Sequence, residues 1–389
     1  MDRLNRYAAD MVARSRLAVG YPINQNIDLK EFYEWYLASG LHGVSLNNVG
    51  NPQKESTLHT NSHDFENEVI EFFAPLYGFD LREAWGIVTF SGTDGNNHGV
   101  YFGVKDLLAR TKKRPVLYVS EQAHYSIKKL GDLQNLEMKL IPTDRMGRMD
   151  TVAFAKALNP KKPALIVIAM GTTFKGAIDD QEAIDKILKK KKPIAVYRHL
   201  DAALFGGYLP FTAERGLVDR RRVHFDSVAV SGHKFFGFDE PMGIFITTKA
   251  VLERQNPFKV AYLNDAVPTI TCSRSGLAAL KFWWKVKKTG REGFAAQAAA
   301  IIANAAYLKE KLDEMGYPAW LNPYSNTVFF KRPGKWIMDK WDLAPDEDPR
   351  LGGPLAHEII MQHETRETID LFIEDLKKDV AGQKGGNPG

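Results

Sequence analysis

Seven short apolar runs punctuate the middle of the chain, at residues 86–90, 116–119, 138–141, 164–170, 194–197, 227–230 and 243–247. Each is too short for a helix and is bounded by polar or turn-forming residues, so each reads as a strand. Longer amphipathic stretches, including 96–108 and 181–188, separate many of them. That alternation predicts a parallel sheet covered by helices on both faces. Before about residue 72 the pattern is less regular, with turn-rich pieces such as Asn47-Asn48-Val49-Gly50-Asn51-Pro52. From about Gly276 it changes to two long helices, 277–288 and 294–315, and one strand at 327–331, which predicts a smaller C-terminal lobe. The tail 381–389 is rich in Gly, Asn and Pro and is expected to be disordered. The expected division is an N-terminal segment 1–72, a large domain 73–268, a small domain 269–380 and the tail.

Composition narrows the function classes. A chain of 389 residues, 44% hydrophobic and 25% charged, can bury one large core and a smaller lobe. The net charge of +5 is mild and spread out. Its one basic run, Lys189 to Lys192, precedes Pro193 at a helix end, where it complements the helix dipole. No nucleic-acid partner is expected. The single cysteine, Cys272, excludes internal disulfides and any multi-cysteine zinc or iron–sulfur site. Residues 1–16 are charged and lack the apolar core of a secretory signal. No stretch has the apolar length to span a bilayer. The expected compartment is the cytoplasm.

In open parallel sheets, ligands gather outside the C-terminal ends of the strands, and polar clusters follow several of these. Ser91-Gly92-Thr93-Asp94-Gly95 follows the 86–90 run and opens a helix. Small residues let the backbone approach an anion, and the free N–H groups favour phosphate, although the motif alone also fits a plain turn. His124 follows 116–119, where an imidazole can stack on a flat ring or simply cap a helix. Asp201 follows 194–197 and needs a cationic partner. That partner is either a protonated pyridine nitrogen or an arginine, Arg198 or one of Arg220 to Arg222. Ala203 is small enough for a ring to lie against it. His199 and Asp201 lack a third ligand at recognisable spacing, so no metal is expected. Most informative is Ser231-Gly232-His233-Lys234, directly after 227–230. A lysine at the end of a buried strand suits pyridoxal phosphate (PLP), because desolvation lowers the amine pKa and frees it to form a Schiff base.

Taken in order, these residues resemble the group II PLP-dependent amino-acid decarboxylases, in the branch of bacterial histidine decarboxylases and plant serine decarboxylases. The likeness runs from about Tyr21 to about Asp379. It is carried by Asn47-Asn48-Val49-Gly50, Asp64-Phe65-Glu66, Gly92-Thr93-Asp94-Gly95-Asn96 and His124-Tyr125-Ser126. It continues through Gly171-Thr172-Thr173, Gly176-Ala177-Ile178-Asp179-Asp180 and His199-Leu200-Asp201-Ala202-Ala203. Ser231-Gly232-His233-Lys234, Thr269-Ile270-Thr271 with Ser273-Arg274, and Thr327-Val328-Phe329-Phe330 complete it.

The resemblance implies an α/β fold of the PLP-dependent transferase type (aspartate aminotransferase-like, fold type I). That fold has a mostly parallel seven-stranded sheet in a large domain and a small α+β C-terminal domain. It also implies a homodimer with shared active sites. Lys234 would carry PLP, Asp201 would hold the pyridinium, and His124 and Ala203 would flank the ring. Gly92, Thr93, Asp94, Ser231 and His233 would belong to the phosphate end, and Thr172 or Thr173 would reach the phenolic oxygen. Arg274 would either shape the substrate end or be a solvated charge. Tyr262 would either return a proton after carbon dioxide leaves or only pack. The implied reaction is decarboxylation of an L-amino acid to its amine.

Some positions depart from that pattern. Asp94 stands where these relatives usually have Glu, Cys272 replaces a usual Gly, and Ser275 stands where Asn is common. Asp239 and Glu240 add two carboxylates near the mouth. The stretch Glu55-Ser56-Thr57-Leu58-His59-Thr60-Asn61-Ser62 is polar where histidine decarboxylases are more apolar. It points to a small or polar substrate, serine- or histidine-like, with His59 a candidate contact or part of a solvated loop. The competing expectation is a PLP enzyme of altered outcome: an aldehyde-forming decarboxylase, an aminotransferase or a carbon–carbon lyase.

Overall fold

The computed structural model describes residues 1–255, 258–263 and 265–385. All seven apolar runs become strands of one sheet: β1 (Ala84–Thr89), β2 (Val116–Ser120), β3 (Glu137–Ile141), β4 (Ala164–Ala169), β5 (Val196–Asp201), β6 (Ser227–Ser231) and β7 (Gly243–Thr248). Their order is β1-β7-β6-β5-β4-β2-β3. Pairing is parallel from β6 through β5, β4 and β2 to β3. Only β7 runs antiparallel to its neighbours. Every residue of β1, β2, β4 and β6 is buried, as helices on both faces require. The edge strand β3 is mostly exposed and carries Glu137 and Lys139, charges that discourage pairing with another chain.

Six helices matter below: α1 (Asp2–Ser15), α2 (His63–Phe73), α3 (Gly92–Thr111), α4 (Tyr125–Leu133), α5 (Gly276–Glu314) and α6 (Arg366–Gly385). Helix α3 lies unusually close to the sheet. A Cβ at Gly95, Gly99 or Gly103 would meet Ala229, His199 or Leu165 within 3 Å. This stripe costs helix propensity, about 1 kcal/mol per glycine relative to alanine. It gains close docking of the helix N-terminus over the strand ends. The two helices expected at 277–288 and 294–315 are the halves of α5, broken at Gly290 (φ 60°, ψ −179°), a conformation open only to glycine.

The small lobe holds a four-stranded antiparallel sheet of β8 (Ala319–Leu321), β9 (Thr327–Lys331), β10 (Ala344–Asp348) and β11 (Gly353–Ile359), ordered β8-β9-β11-β10. Only β9 was expected. The edge strand β10 reads Ala-Pro-Asp-Glu-Asp, and β11 opens on Gly-Pro, so neither carries the apolar signal of a strand. Helix α6 continues to Gly385, which corrects the expectation of a disordered tail from 381. Its preceding turns dock on the lobe, and Ala381, Gln383 and Lys384 are good helix formers. Residues 386–389 lie outside those described.

The N-terminal segment joins the two lobes. Residues 17–27 form a strap: Ile359 N–H donates to Val19 O (2.9 Å), His363 Nε2–H to Ala18 O (3.3 Å), and Asn24 Nδ2 to Phe235 O (3.2 Å). His357 sits between Gly20 O (3.0 Å from Nε2) and Phe174 O (2.7 Å from Nδ1). Farther on, Asn47–Val49 pairs antiparallel with Ser273–Ser275. A buried ion pair, Lys175 with Asp348, ties the loop after β4 to β10. Among the described residues, no helix is long and apolar enough to cross a membrane.

Candidate active site

The strand ends converge on a cavity of about 280 Å³, at the low end of the roughly 300–1,000 Å³ usual for ligand pockets. Ser91, Gly92, Thr93 and Asn96 line it from the start of α3, His124 and Tyr125 from the start of α4, and Gly171, Thr172 and Thr173 from the turn after β4. Asp201 and Ala203 reach it from the end of β5, and Ser231, His233 and Lys234 from the end of β6. The strap adds Pro22, the small lobe adds the register partners Thr327 and Ile359, and Leu204, Phe205 and Pro241 complete the wall.

The start of α3 is built for close approach. Ser91 Oγ caps the helix by accepting from Asp94 N–H (3.2 Å). A Cβ at Gly92 would stand 2.2 Å from Ser231 Oγ, so only glycine lets the two strand ends meet here. The first-turn N–H groups of a helix lack intrahelical acceptors, and those of Gly92 and Thr93 belong to residues of the cavity wall.

Asp94 itself is not in the wall, contrary to expectation. Its carboxylate turns back to accept from Phe90 N–H (3.1 Å), while its carbonyl accepts from His98 Nδ1–H (2.8 Å). The other His98 nitrogen accepts from Ile270 N–H (3.1 Å). Asp94 and the fully buried His98 thus brace the loop rather than touch a ligand.

Asp201 is the last residue of β5, somewhat beyond where the apolar run suggested the strand would stop. It is 7% exposed and has no ion pair among the described residues. The arginines that might have neutralised it are turned elsewhere: Arg198 to Asp185, Arg221 and Arg222 to Asp219, and Arg220 to Phe225 O. His199 points away from the cavity, donating from Nε2 to Asn96 Oδ1 (2.9 Å) with Nδ1 2.9 Å from Ser227 Oγ. Burial holds its pKa down to about 3, so it is a neutral ring that orients Asn96. Among the described residues, no group of three potential ligands could hold a metal ion.

The Lys234 amine makes no hydrogen bond or ion pair among the described residues, and burial lowers its pKa while Asp201 partly restores it. His124 caps α4, its Nδ1 accepting from Ser126 N–H (3.3 Å) and lying 2.7 Å from Ser126 Oγ. Burial lowers the His124 pKa, Asp201 raises it, and Lys234 lowers it again. His233 donates from Nδ1 to Met242 O (3.4 Å), and its pKa too is lowered by burial and by Lys234. Of the two threonines, Thr172 is buried with its hydroxyl accepting from Ala177 N–H (3.0 Å). Thr173 is exposed in the wall.

Beside Asp94, two more expected residues, Arg274 and His59, lie elsewhere, and a third, Tyr262, is described in its backbone only. Arg274 is buried but spent on Glu66, at 2.9 and 3.2 Å, and on Gly50 O at 3.1 Å. It is a joint between the start of the small domain and the N-terminal segment with α2, not a cavity residue. His59 is solvent-exposed and absent from the wall. Tyr262 falls in the turn Ala261–Leu263, and its side chain lies outside the described residues. Asp239 and Glu240 are both held by Lys281. The wall residues that were not expected are Asn96, Thr327, Pro22, Leu204, Phe205, Pro241 and Ile359. The first two stand in stretches already noted; the others are apolar residues brought in by tertiary structure alone.

Comparison with known proteins gives this geometry a context. A family model described as the pyridoxal-dependent decarboxylase conserved domain matches residues 105–319. The chain belongs to that family. It is 35% identical to histidine decarboxylase of Solanum lycopersicum, covering 97% of this chain and 88% of the relative. It is 34% identical to serine decarboxylase 1 of Oryza sativa subsp. japonica, covering 96% and 75%. Among solved structures, L-methionine decarboxylase of Streptomyces sp. 590 superposes with a TM-score of 0.82 at 20% identity, covering 97% of this chain and 94% of that one.

The pyridoxal-dependent decarboxylase is therefore an amino-acid carboxy-lyase with PLP as its cofactor. The residues present fit that group. Gly92 leaves a space that a Cβ would fill, and a helix N-terminus of suitable polarity for phosphate opens beside it. Asp201 is a buried carboxylate with no ion pair among the described residues, and Lys234 is a buried amine that makes no hydrogen bond among them.

Proposed function

We propose that this decarboxylase acts on a small polar L-amino acid in the cavity described, with Lys234 carrying the cofactor. The observation that carries the assignment is that a buried amine and a buried carboxylate, Lys234 and Asp201, line one cavity and interact electrostatically without forming an ion pair among the described residues. PLP, when bound, supplies the sink for the electron pair released as the Cα–carboxylate bond breaks.

The protein's part is to hold and orient. Asp201 keeps a proton on the pyridine nitrogen, which a carboxylate with no other cation is suited to do. The first-turn N–H groups at Gly92 and Thr93, with the Ser231 hydroxyl and His233, hold the phosphate. The His124 ring and Ala203, both in the cavity wall, would hold the pyridine ring. Thr173, with its hydroxyl uncommitted, is better suited than Thr172 to reach the phenolic oxygen. Lys234, with its amine held below the ordinary lysine pKa, would be the residue that holds the cofactor, since a lowered pKa frees the amine for that bond.

The substrate assignment rests on two supports. The cavity of about 280 Å³ must admit cofactor and substrate together, which favours a short side chain. The relatives named above act on serine and histidine. Exposed apolar residues at the rim of the site, Phe90 and Tyr125, support a homodimer that covers them. An exposed, unpaired Cys272 supports residence in the reducing cytoplasm.

Mass-spectrometric product analysis of the PLP-loaded protein, incubated with each common L-amino acid separately, tests the assignment. Ethanolamine from serine, or histamine from histidine, is expected, with turnover abolished in Lys234→Ala. An aldehyde or keto acid in place of the amine would overturn it, as would turnover persisting in that variant.

A further inference from the structure

Behind the small-lobe wall of the cavity, two carboxyls are buried against each other. Glu358 lies on β11 beside the wall residue Ile359, and Glu364 lies in the turn before α6. They are 0% and 1% exposed, and neither has a lysine or arginine partner among the described residues. Glu364 Oε1 accepts from Met361 N–H (2.9 Å). Both oxygens of Glu358 and the other oxygen of Glu364 meet no donor. The two side chains are within hydrogen-bond reach of one another. Two bare carboxylates do not persist in such a place, because each lacks both solvent and a counter-charge. One proton between them supplies the missing donor and removes one charge.

We propose that Glu358 and Glu364 share a proton and, as a positioning pair, hold the 360–365 turn that fastens the strap across the active site. That turn carries His363, whose Nε2–H donates to Ala18 O and whose Nδ1 accepts from Gln25 N–H (3.2 Å). The same strand end gives the Ile359 N–H bond to Val19 O. Between these ties the strap presents Pro22 to the cavity. Burial raises both carboxyls, and the charge on Glu358 raises Glu364 further, so the shared proton is kept through neutral pH and lost on the alkaline side. A second negative charge then sits in a dry site, and relief comes only from opening the turn.

The surroundings offer no compensation. His363 Nε2 is 3.9 Å from Glu364 Oε1, but burial lowers its pKa, leaving it neutral where the pair titrates. On α5, Asn304 donates to the Glu364 carbonyl rather than to its carboxyl (2.8 Å). On α6, Arg366 lies over the Tyr307 ring, 4.8 Å from its centroid. Opposite Glu358, β9 presents Val328. The strap from 17 to 27 carries no charged side chain, with Tyr21 its one titratable group.

Hydrogen exchange of residues 17–26 and 360–366 in the holoenzyme, followed from about pH 6 to 9.5 and corrected for intrinsic exchange, tests this. Protection of both segments should fall about tenfold across the alkaline limb, the size of one hydrogen bond to a charged group. The substrate KM should rise over the same range while kcat changes less. The double variant Glu358→Gln/Glu364→Gln, which keeps hydrogen bonding without charge, should be flat in both. Protection that stays flat in the wild type overturns the proposal, as does an undiminished fall in the double variant. Should the double variant not fold, the wild-type profile decides alone. The kinetic arm rests on the cavity being the active site. The exchange arm does not, so failure of that assignment and failure of this proposal are told apart.

Discussion

Arg274 shows what a single residue's neighbours add to its identity. An arginine after a loop reads equally as a substrate anchor or as a solvated charge, and it is neither. The guanidinium, 3% exposed, makes a two-point contact with Glu66, which also accepts from Asn48 Nδ2 (2.9 Å) and from Val88 N–H (2.8 Å). Removing one member of a buried, hydrogen-bonded pair strands the other's charge, at a cost of about 3–5 kcal/mol. Arg274→Leu should therefore lower the unfolding free energy by about that amount in a denaturant titration. The molecules that remain folded should keep kcat and KM near wild type. Unchanged stability with a large rise in KM would return Arg274 to the substrate site. The residues that did prove to line the cavity, such as Asp201 and Lys234, were legible because they end apolar runs. Nothing in the local sequence tells a charge at a strand end facing a cavity from one facing another charge; that distinction belongs to three-dimensional pairing.

Elements were legible in proportion to how completely their burial is written into local composition. The seven strands of the large sheet stood out because most are covered on both faces and read as unbroken apolar runs. The small-lobe strands β8, β10 and β11 did not. One is three residues long, one is a polar edge, and one places Glu358 in its interior. The break in α5 was visible as a gap between two amphipathic stretches, and Gly290 is its cause.

The small residues that open α3 read as an approach for an anion, and their close docking against β6 is visible only in three dimensions. Its tightest point has a measurable consequence. A methyl group at position 92 would sit 2.2 Å from Ser231 Oγ, forcing the helix start away from the strand end. Overpacking of this kind costs about 1–3 kcal/mol, and it falls where the cofactor phosphate is proposed to bind. Gly92→Ala should therefore fold, with PLP affinity reduced by about 10- to 100-fold in a fluorescence titration of the apoprotein. Unchanged PLP affinity would move the phosphate to another part of the wall.

At the scale of the whole molecule, one chain leaves surfaces unfinished. Helix α1 buries none of its residues, yet Leu4, Tyr7, Met11 and Val12 recur at helical spacing as an exposed apolar stripe. Such a stripe gains nothing from water, and an isolated helix of 14 residues is marginal without packing. Phe90 and Tyr125 are likewise exposed beside the cavity. A second copy of the chain would cover such surfaces, and a closed two-fold pairing is the commonest way soluble proteins do so. On this argument the particle in sedimentation equilibrium should have twice the mass of the chain. Dilution below the dimer dissociation constant should lower activity per protomer, because the rim of the site would lose its cover. Leu4→Glu combined with Met11→Glu should weaken association at least tenfold if α1 is part of the interface, since each substitution replaces buried apolar area with a charge. A double variant that remains fully dimeric would confine the interface to the rim around Phe90 and Tyr125. A wild-type monomer that keeps full activity on dilution would show that one chain completes the site alone.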